Sequence, residues 1–168
     1  MLIDGTNRRS YRGYTRSGKT DNHTITVYKR LRQHKGIVKG GAKYTTRNFK
    51  CGCYLLLYIT GFKTKHTAMS YEWYSKRTGA VYHQNRLKFR GPHYKTSFFL
   101  APLLHSKFRH ILHGLKLHLS VDYFNKTLAS RIRDFYGIEV EIVNFNMLFD
   151  KYSKKVNSKQ LRISNNNK

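Results

Sequence analysis

Acidic residues are scarce in this chain. Between Asn22 and Val121 one carboxylate, Glu72, stands against nineteen lysine and arginine residues. Over all 168 residues, 33 basic residues oppose 8 acidic ones, which gives a formal net charge of +25. Ion pairs within the chain cannot neutralise this excess, and such a field attracts a polyanion. We therefore expect a nucleic acid partner, bound through its phosphates in a salt-sensitive and largely sequence-independent way.

Cysteines and long apolar runs are scarce as well. Cys51 and Cys53 are too few for a disulfide framework. The longest local apolar run, Tyr54 to Ile59, has the length of a strand, so we expect no membrane span and no membrane partner. The pair Cys51-Gly52-Cys53 and the histidines of residues 104–120 lack the spacing of a zinc site, so we expect no metal and no cofactor.

Catalytic motifs are missing or lack their structural context. The basic region offers no carboxylate pair, because Glu72 is alone there, and the sequence contains no GxSxG nucleophile motif. Residues 13–20 match the phosphate-loop pattern GxxxxGK[ST], but no hydrophobic strand precedes them and no helical pattern follows. The sequence therefore predicts that the chain is not an enzyme, with a nucleotide-hydrolysing enzyme built on residues 13–20 as an alternative.

The sequence that is present predicts a mainly β fold. Short β-rich runs separated by glycines occupy residues 22–103, and they are His23–Tyr28, Cys53–Ile59, Ala80–Tyr82 and Lys95–Leu100. Evenly spaced short strands favour a small OB-like β-barrel that binds RNA. Residues 1–21 carry scattered arginines and no hydrophobic period, so we expect an extended basic arm there.

The last third of the chain differs from the predicted barrel. Residues 104–150 predict a short α/β extension, with a helical pattern from Asp122 to Tyr136, a stop at Gly137 and an alternating strand from Ile138 to Val143. Residues 151–168 return to lysine and asparagine, which predicts a basic tail that is disordered or draped on RNA.

Several short matches resemble the large-subunit ribosomal protein L-two family. Residues 16–30 followed by His34-Lys35 are similar to its SGGRNNxGRITVxHRGGGHK stretch. Residues 47–50, 71–80 and 99–102 are similar, in the same order, to its YRxIDFKR, IEYDPNRSAxIA and YILAP segments. Nothing after Pro102 corresponds to the family's second, SH3-like barrel. The resemblance implies the OB-like, RNA-binding half of that family, with a structural role in the large ribosomal subunit and a possible separate chain supplying the missing barrel.

The C-terminal part has a fainter likeness. Residues 128–144 are similar to a helix-strand segment of organelle-encoded small-subunit ribosomal protein S-three. The residue usage, rich in tyrosine, phenylalanine, asparagine and lysine, is typical of an AT-rich genome. Together these features predict a mitochondrial ribosomal protein, with a plastid as the lesser possibility and neighbouring ribosomal proteins as partners.

The predicted contacts with ribosomal RNA combine cations with aromatic and small polar residues. Lysine and arginine meet phosphates, whereas tyrosine, phenylalanine and tryptophan stack on unpaired bases. The resemblance to the L-two family implies contacts at Ser17, Asn22, Thr26, Arg30, His34, Lys35, Lys76 and Arg77. The other predicted contacts rest on composition, and they are Arg8, Arg9, Arg12, Arg16, Lys19, Tyr28, Lys29, Arg32, Lys43, Arg47, Lys50, Arg86, Lys88 and Arg90.

Two other functions stay open from the sequence alone. A small-subunit ribosomal protein resembling S-three would bind RNA equally well. A DNA-binding nucleoid protein is a further alternative, although we find no helix-turn-helix, zinc finger or basic zipper.

Overall fold

The structure, a computed structural model, describes residues 1–6, 9–15, 23–84, 91–150 and 152–153, and within 79–84 it describes the backbone alone. The strands are β1 (Leu2–Asp4), β2 (Ser10–Tyr11), β3 (Cys53–Leu55), β4 (Leu57–Thr60), β5 (Lys116–Ser120) and β6 (Glu139–Val143). The α-helices are α1 (His23–His34), α2 (Lys43–Asn48), α3 (Lys65–Gln84), α4 (Pro92–Leu100), α5 (Ser106–Arg109) and α6 (Lys126–Tyr136). Residues 101–104 and 112–114 form short 3-10 helices, and residues 145–150 are helical.

Two three-stranded sheets meet at Leu56. The first sheet has the order β2-β1-β3 and is antiparallel, whereas the second has the order β4-β5-β6. Strands β5 and β6 are parallel because α6 crosses between them. Leu56 is fully buried between β3 and β4; its N–H donates to the carbonyl of Met1 (3.1 Å), and its carbonyl accepts the N–H of Ser120 (3.0 Å). One residue therefore ties both sheets together.

The larger hydrophobic core lies between the second sheet and helices α3 and α4. Leu57, Leu117 and Leu119 of the sheet are buried in one cluster with Tyr71 of α3 and Phe99 of α4. The Tyr71 hydroxyl donates to the carbonyl of Phe99 at 2.6 Å, so its polar group is satisfied inside the core. This core fixes the position of α3, which carries the candidate site.

A smaller core holds α1 against the first sheet. It contains Leu2 of β1, Leu31 of α1 and Phe49 after α2, together with Phe145 and Phe149 from the last described helical residues. Because Phe145 and Phe149 follow β6, this core joins the first and last parts of the described chain.

The predicted OB-like barrel at 22–103 is wrong, because helices occupy most of that range. His23–Tyr28 lies in α1, Ala80–Tyr82 lies in α3, and Lys95–Leu100 lies in α4, which begins at Pro92. Proline favours the first turn of a helix, since its missing N–H has no intrahelical partner there. The result is a mixed α/β fold with small sheets.

The error at α1 has a packing cause. Its Thr-Ile-Thr-Val segment alternates like a strand, yet Val27 and Leu31, four residues apart, face the smaller core from the same side of the helix. The residues that follow, Lys29 to His34, include several good helix formers. Tertiary packing on a helical period therefore overrides the local β propensity.

Two other local predictions are confirmed. The apolar run Cys53–Ile59 is β-structure, although it forms two strands, β3 and β4, that join different sheets. The helix-strand unit is also present as α6 and β6. The Asn125 side chain accepts the N–H of Leu128 at 2.9 Å at the start of α6, and Gly137 ends it with a left-handed φ of 64°.

The ends of the chain were predicted to be an arm and a tail. In the structure, Leu2–Asp4 is a buried strand paired with β2 and β3, so these residues are not an extended arm. Of the predicted tail, the structure describes residues 152–153 only. The boundaries proposed for the four parts of the chain stay predictions. In the described part of the chain, none of the helices has the length and apolar character that a membrane crossing requires.

Candidate active site

The isolated carboxylate Glu72 lies in a cleft rather than on a solvated surface. Its side chain is 22% exposed and projects from α3. Oε2 accepts the backbone N–H of Tyr14 at 2.9 Å, and Oε1 lies 2.5 Å from Nζ of Lys76, one helical turn further on. Two donors therefore hold the carboxylate in one orientation.

The helical period of α3 explains why Glu72 faces outward. Tyr71 and Ser75 are buried against the core, and the neighbouring positions Glu72 and Lys76 are rotated by about 100° toward the opening. The helix start is fixed by Thr64, whose Oγ1 accepts the N–H of Thr67 at 3.1 Å as an N-terminal cap. The buried face thus positions the polar one.

The loop that follows β2 closes one side of the cleft. Arg12 donates from a terminal guanidinium nitrogen to the carbonyl of Ser75, which anchors this loop to α3. Burial lowers the pKa of Arg12 from its ordinary value. Its Nε is the buried side-chain nitrogen that has no hydrogen-bond partner among the described residues. The wall of the cleft therefore contains a cationic donor that is not fully used.

Tyr11 is connected to Glu72 through Lys76. Nζ of Lys76 lies 5.9 Å from the centre of the Tyr11 ring, within the range of a cation–π contact. Gly13 lies against the same ring: a Cβ at position 13 would be 2.8 Å from Cε1 of Tyr11. The Tyr11-Arg12-Gly13 segment thus packs closely only because position 13 has no side chain.

The cleft has a volume of about 470 Å³ and is formed by three parts of the chain. They are the loop after β2, the first turns of α1, and the segment from β4 to α3; its polar lining residues include Arg12, Tyr14, Thr15, His23, Thr26, Tyr58, Thr60, Lys63, Lys65 and Glu72. Lys63 and Lys65 are exposed at the rim. One carboxylate surrounded by cations and hydroxyls suits a phosphate ester, whose charge the cations would neutralise.

The predicted RNA contacts are spread over several surfaces. Arg12 and Thr26 line the cleft, and Lys76 and Arg77 lie on α3. The exposed cations away from it are Arg9, Lys29, Lys35, Lys43, Arg47 and Lys50; Tyr28, Arg30 and Arg32 are half-buried. Arg8, Arg16, Ser17, Lys19, Asn22, Arg86, Lys88 and Arg90 lie outside the described residues, as do residues 16–20 of the phosphate-loop pattern.

His34 is a structural residue in this fold. It is buried at the end of α1, where Nδ1 lies 2.8 Å from Oγ1 of Thr45. The ring also contacts Tyr11, with 4.8 Å between ring centres. Thr45 and the backbone N–H of Ala42 both contact Nδ1, and the ring is buried, which leaves this imidazole poorly placed for a direct phosphate contact.

The cleft is not visible in the sequence. Glu72 stands out there as an isolated acid, and the lack of a second carboxylate near it argues against catalysis. The available signal was Glu72 with Lys76 at the i,i+4 spacing of a helix. The contact with Tyr14 joins residues 58 positions apart, so no local pattern shows it.

Comparison with known proteins places a catalytic domain over this cleft. Residues 2–85, half of the chain, match the family described as the GIY-YIG catalytic domain. Read in one-letter code, the second half of that description is Tyr-Ile-Gly, and Tyr11-Arg12-Gly13 keeps its first and last residues. The sequence contains no Gly-Ile-Tyr tripeptide.

Two curated relatives are subunits of structure-specific endonucleases. The chain is 38% identical over 82 residues to SLX1 of Phaeosphaeria nodorum, which covers 49% of this chain and 20% of that protein. It is 44% identical over 50 residues to slx1 of Botryotinia fuckeliana, covering 30% of this chain and 12% of that protein. The chain therefore spans a fifth or less of the length of these relatives.

These findings overturn the ribosomal interpretation. The matching family is a catalytic domain and the relatives are endonuclease subunits, so the assignments to L-two, to S-three and to a structural role in translation are wrong. The prediction that the chain is not an enzyme is wrong for the same reason, and ribosomal RNA and ribosomal proteins are not supported as partners. The short L-two matches included residues 16–30, whose described part, from His23, is helical here.

Proposed function

The chain belongs to the GIY-YIG catalytic domain family, and from this membership and the cleft around Glu72 we propose that it is an endonuclease acting on branched nucleic acid. The observation that carries the proposal is the placement of Glu72. Glu72, the one carboxylate between Asn22 and Val121, is 22% exposed in a cation-lined cleft and is oriented by two donors. A branched substrate is proposed because both relatives are described as structure-specific.

Glu72 is also the residue that would hold a divalent cation. Magnesium is commonly bound by one or two carboxylates together with substrate phosphates, so a single glutamate is sufficient. The carboxylate fits this role because it is partly exposed and its oxygens have lone pairs beyond those used by Tyr14 and Lys76. When bound, the ion would neutralise charge on the phosphate. The prediction of no metal and no cofactor is not tested by the structure.

The side chains of the cleft would position the reacting phosphodiester. Arg12, Lys63 and Lys65 would contact its non-bridging oxygens and stabilise the added charge of the transition state. In the reaction, a water oxygen bonds to phosphorus and one phosphorus–oxygen ester bond breaks. The departing oxygen takes up a proton, leaving a hydroxyl at one new end and a phosphate monoester at the other.

The test uses matched branched and linear substrates. Wild-type chain with Mg²⁺ is incubated with an end-labelled flap or three-way junction, and with a linear duplex of the same sequence, each made as DNA and as RNA. We expect internal cuts near the branch, at least about tenfold faster than any cut in the linear duplex, a difference of roughly 1.4 kcal/mol in barrier. The DNA and RNA sets identify the sugar that the cleft accepts.

Two results would contradict the proposal. One is the absence of any cut in all four substrates, and the other is release of nucleotides from the ends without internal cuts.

The mitochondrial location is a separate proposal that depends on residue usage alone.

A further inference from the structure

Helix α3 carries an exposed stripe beside Glu72 that the proposed reaction does not use. The stripe consists of Met69, Trp73 and Arg77, spaced four residues apart, and hereafter it is called the α3 stripe. Trp73 is the one tryptophan of the sequence, and it is 49% exposed, with Met69 47% exposed. The guanidinium carbon of Arg77 lies 4.0 Å from the centre of the Trp73 ring. A large aromatic ring is thus presented to solvent with a cation stacked on it.

The orientation of this ring is held by the protein. Tyr74 packs edge-on against Trp73, with 5.1 Å between ring centres. Tyr74 in turn contacts the buried ring of Phe108 at 5.4 Å. A surface tryptophan fixed in this way loses little freedom on binding, which is the property of a preformed recognition surface.

The stripe lies directly beside the candidate active site. On a helix, Trp73 is rotated by about 100° from Glu72, and Met69 lies between the two directions. Lys76, which contacts Glu72, is likewise rotated by about 100° from Arg77. A nucleic acid with one phosphate at Glu72 would therefore pass its adjacent nucleotides over Trp73 and Arg77.

Stacking chemistry selects unpaired bases at such a surface. Aromatic rings and arginine planes stack on any base whose face is free, whereas the bases of an intact duplex already stack on one another. Arg77 and Lys76 add cationic charge suited to the phosphates that accompany such a base. An apolar protein segment would use the ring but gain nothing from these cations.

We infer that the α3 stripe binds an unpaired base at a branch point, next to the phosphodiester that is cut. The inference rests on the proposed function and names the feature that would distinguish branched from linear substrates. Trp73 is then a specificity-determining residue and Glu72 the catalytic one.

The first test uses Trp73 as its own reporter, since no other tryptophan contributes fluorescence. Glu72→Gln protein, which cannot cut its substrate if the proposed function holds, is titrated with a flap DNA and with a linear duplex. We expect quenching of tryptophan fluorescence by the flap and much less by the duplex. Equal quenching by both, or none by either, would overturn the inference.

The second test compares variants on the same substrates. Trp73→Ala should weaken flap binding about tenfold without changing duplex binding, and Trp73→Phe should retain most of the affinity because it keeps an aromatic face. Phe135→Ala removes another exposed ring, on α6, and should change neither. A Trp73→Ala protein that folds and binds the flap normally would overturn the inference.

Cleavage separates this inference from the proposed function. If wild type cuts branched substrates and Trp73→Ala keeps the same preference for branched over linear substrates, the α3 stripe has no role, whereas the proposed function is supported. If wild type cuts no substrate, the proposed function fails whatever the fluorescence shows, and the inference falls with it.

Discussion

At the scale of single residues, two adjacent side chains on α3 have contrasting environments. Tyr71 is fully enclosed, and burial raises its pKa well above the ordinary value. Glu72, the next residue, is open to the cleft and held by Tyr14 and Lys76. A helix that buries one face firmly can therefore hold a reactive group at a fixed place on its other face.

Gly13→Ala tests the close packing of the Tyr11-Arg12-Gly13 segment. The new Cβ would lie 2.8 Å from Cε1 of Tyr11, so the ring, whose centre lies 5.9 Å from Nζ of Lys76, must shift. We expect cleavage to slow by about tenfold with little change in the free energy of unfolding, because position 13 is exposed. Gly114→Ala is the control, since its Cβ would meet no described atom closer than 3.8 Å. Equal single-turnover rates for wild type and Gly13→Ala would contradict this account.

His34 predicts a loss of stability in mild acid. Burial, and then the charge of Arg30, lowers its pKa from 6.5 to about 4 in the folded chain. The unfolded chain therefore binds the proton first as the pH falls, so stability is complete above pH 6.5 and decreases between about 6.5 and 4. The loss should be on the order of 3 kcal/mol. Urea unfolding between pH 6.5 and 4 measures this loss. In His34→Gln the free energy of unfolding should depend less on pH. An unchanged pH dependence in that variant would show that another group causes the loss.

The sequence allowed some of these residue roles to be predicted and not others. Glu72 was visible as an isolated acid, and Lys76 and Arg77 were predicted to contact a nucleic acid. His34 was expected to touch RNA because nothing in the sequence shows that the ring is buried with its Nδ1 against Thr45. Whether each of these side chains is exposed or buried depends on residues distant in the sequence, so their roles could not be told apart from the sequence alone.

At the scale of elements, the turn between β4 and α3 sets the position of the helix that carries Glu72. Gly61 follows β4 with a φ of 94°, and Thr64 caps α3 three residues later. The turn faces the start of β5 so closely that a Cβ on Gly61 would lie 1.8 Å from the carbonyl oxygen of Gly114. Both the backbone conformation and the contact require glycine at this position.

Gly61→Ala should therefore be strongly destabilising. Backbone strain and the clash with Gly114 together should lower the free energy of unfolding by on the order of 3 kcal/mol. Gly91→Ala is a matched control, because Gly91 has a similar φ of 106° but a Cβ there would meet no described atom within 4 Å. It should lose about 1 kcal/mol, from strain alone. Urea unfolding of both variants makes the comparison, and equal losses would refute the contact.

Elements that are set by local interactions could be predicted from the sequence, whereas elements that are set by tertiary packing could not. The unit of α6 and β6 could be predicted because its cap, its helical period and its terminal Gly137 are all local. Helix α1 could not, because its Thr-Ile-Thr-Val segment favours a strand until the smaller core imposes a period of four. The same limit applied to Lys95–Leu100, which packs as α4.

At the scale of the whole molecule, the excess of cations implies binding that weakens steeply with salt. Exposed lysines and arginines occur on α1, α2 and α3 and in the turn before α3, so a nucleic acid that extends from the cleft over these elements could meet about six of them. Affinity for a linear duplex should then fall about a thousandfold between 50 and 200 mM salt. Fluorescence anisotropy with the Glu72→Gln protein measures this affinity at each salt concentration. A fall in affinity of less than about tenfold would show that few cations contact phosphates.

The charge of the sequence predicted the class of partner but not the function. It predicted a polyanion partner, but a positive surface suits a ribosomal protein and a nuclease equally. The difference between them is one carboxylate brought into a cleft by β2, β4 and α3, which is a property of the fold.

The most direct measurement is the single-turnover rate of flap cleavage by Glu72→Gln, compared with wild type and with Glu141→Gln. Glu141 is a suitable control because it is a half-exposed carboxylate that pairs with Lys116 and His118 on the second sheet and does not itself line the cleft. We predict that Glu72→Gln cuts at least about a hundredfold more slowly while it binds the flap normally, and that Glu141→Gln is unchanged. Cleavage by Glu72→Gln at the wild-type rate would contradict the account.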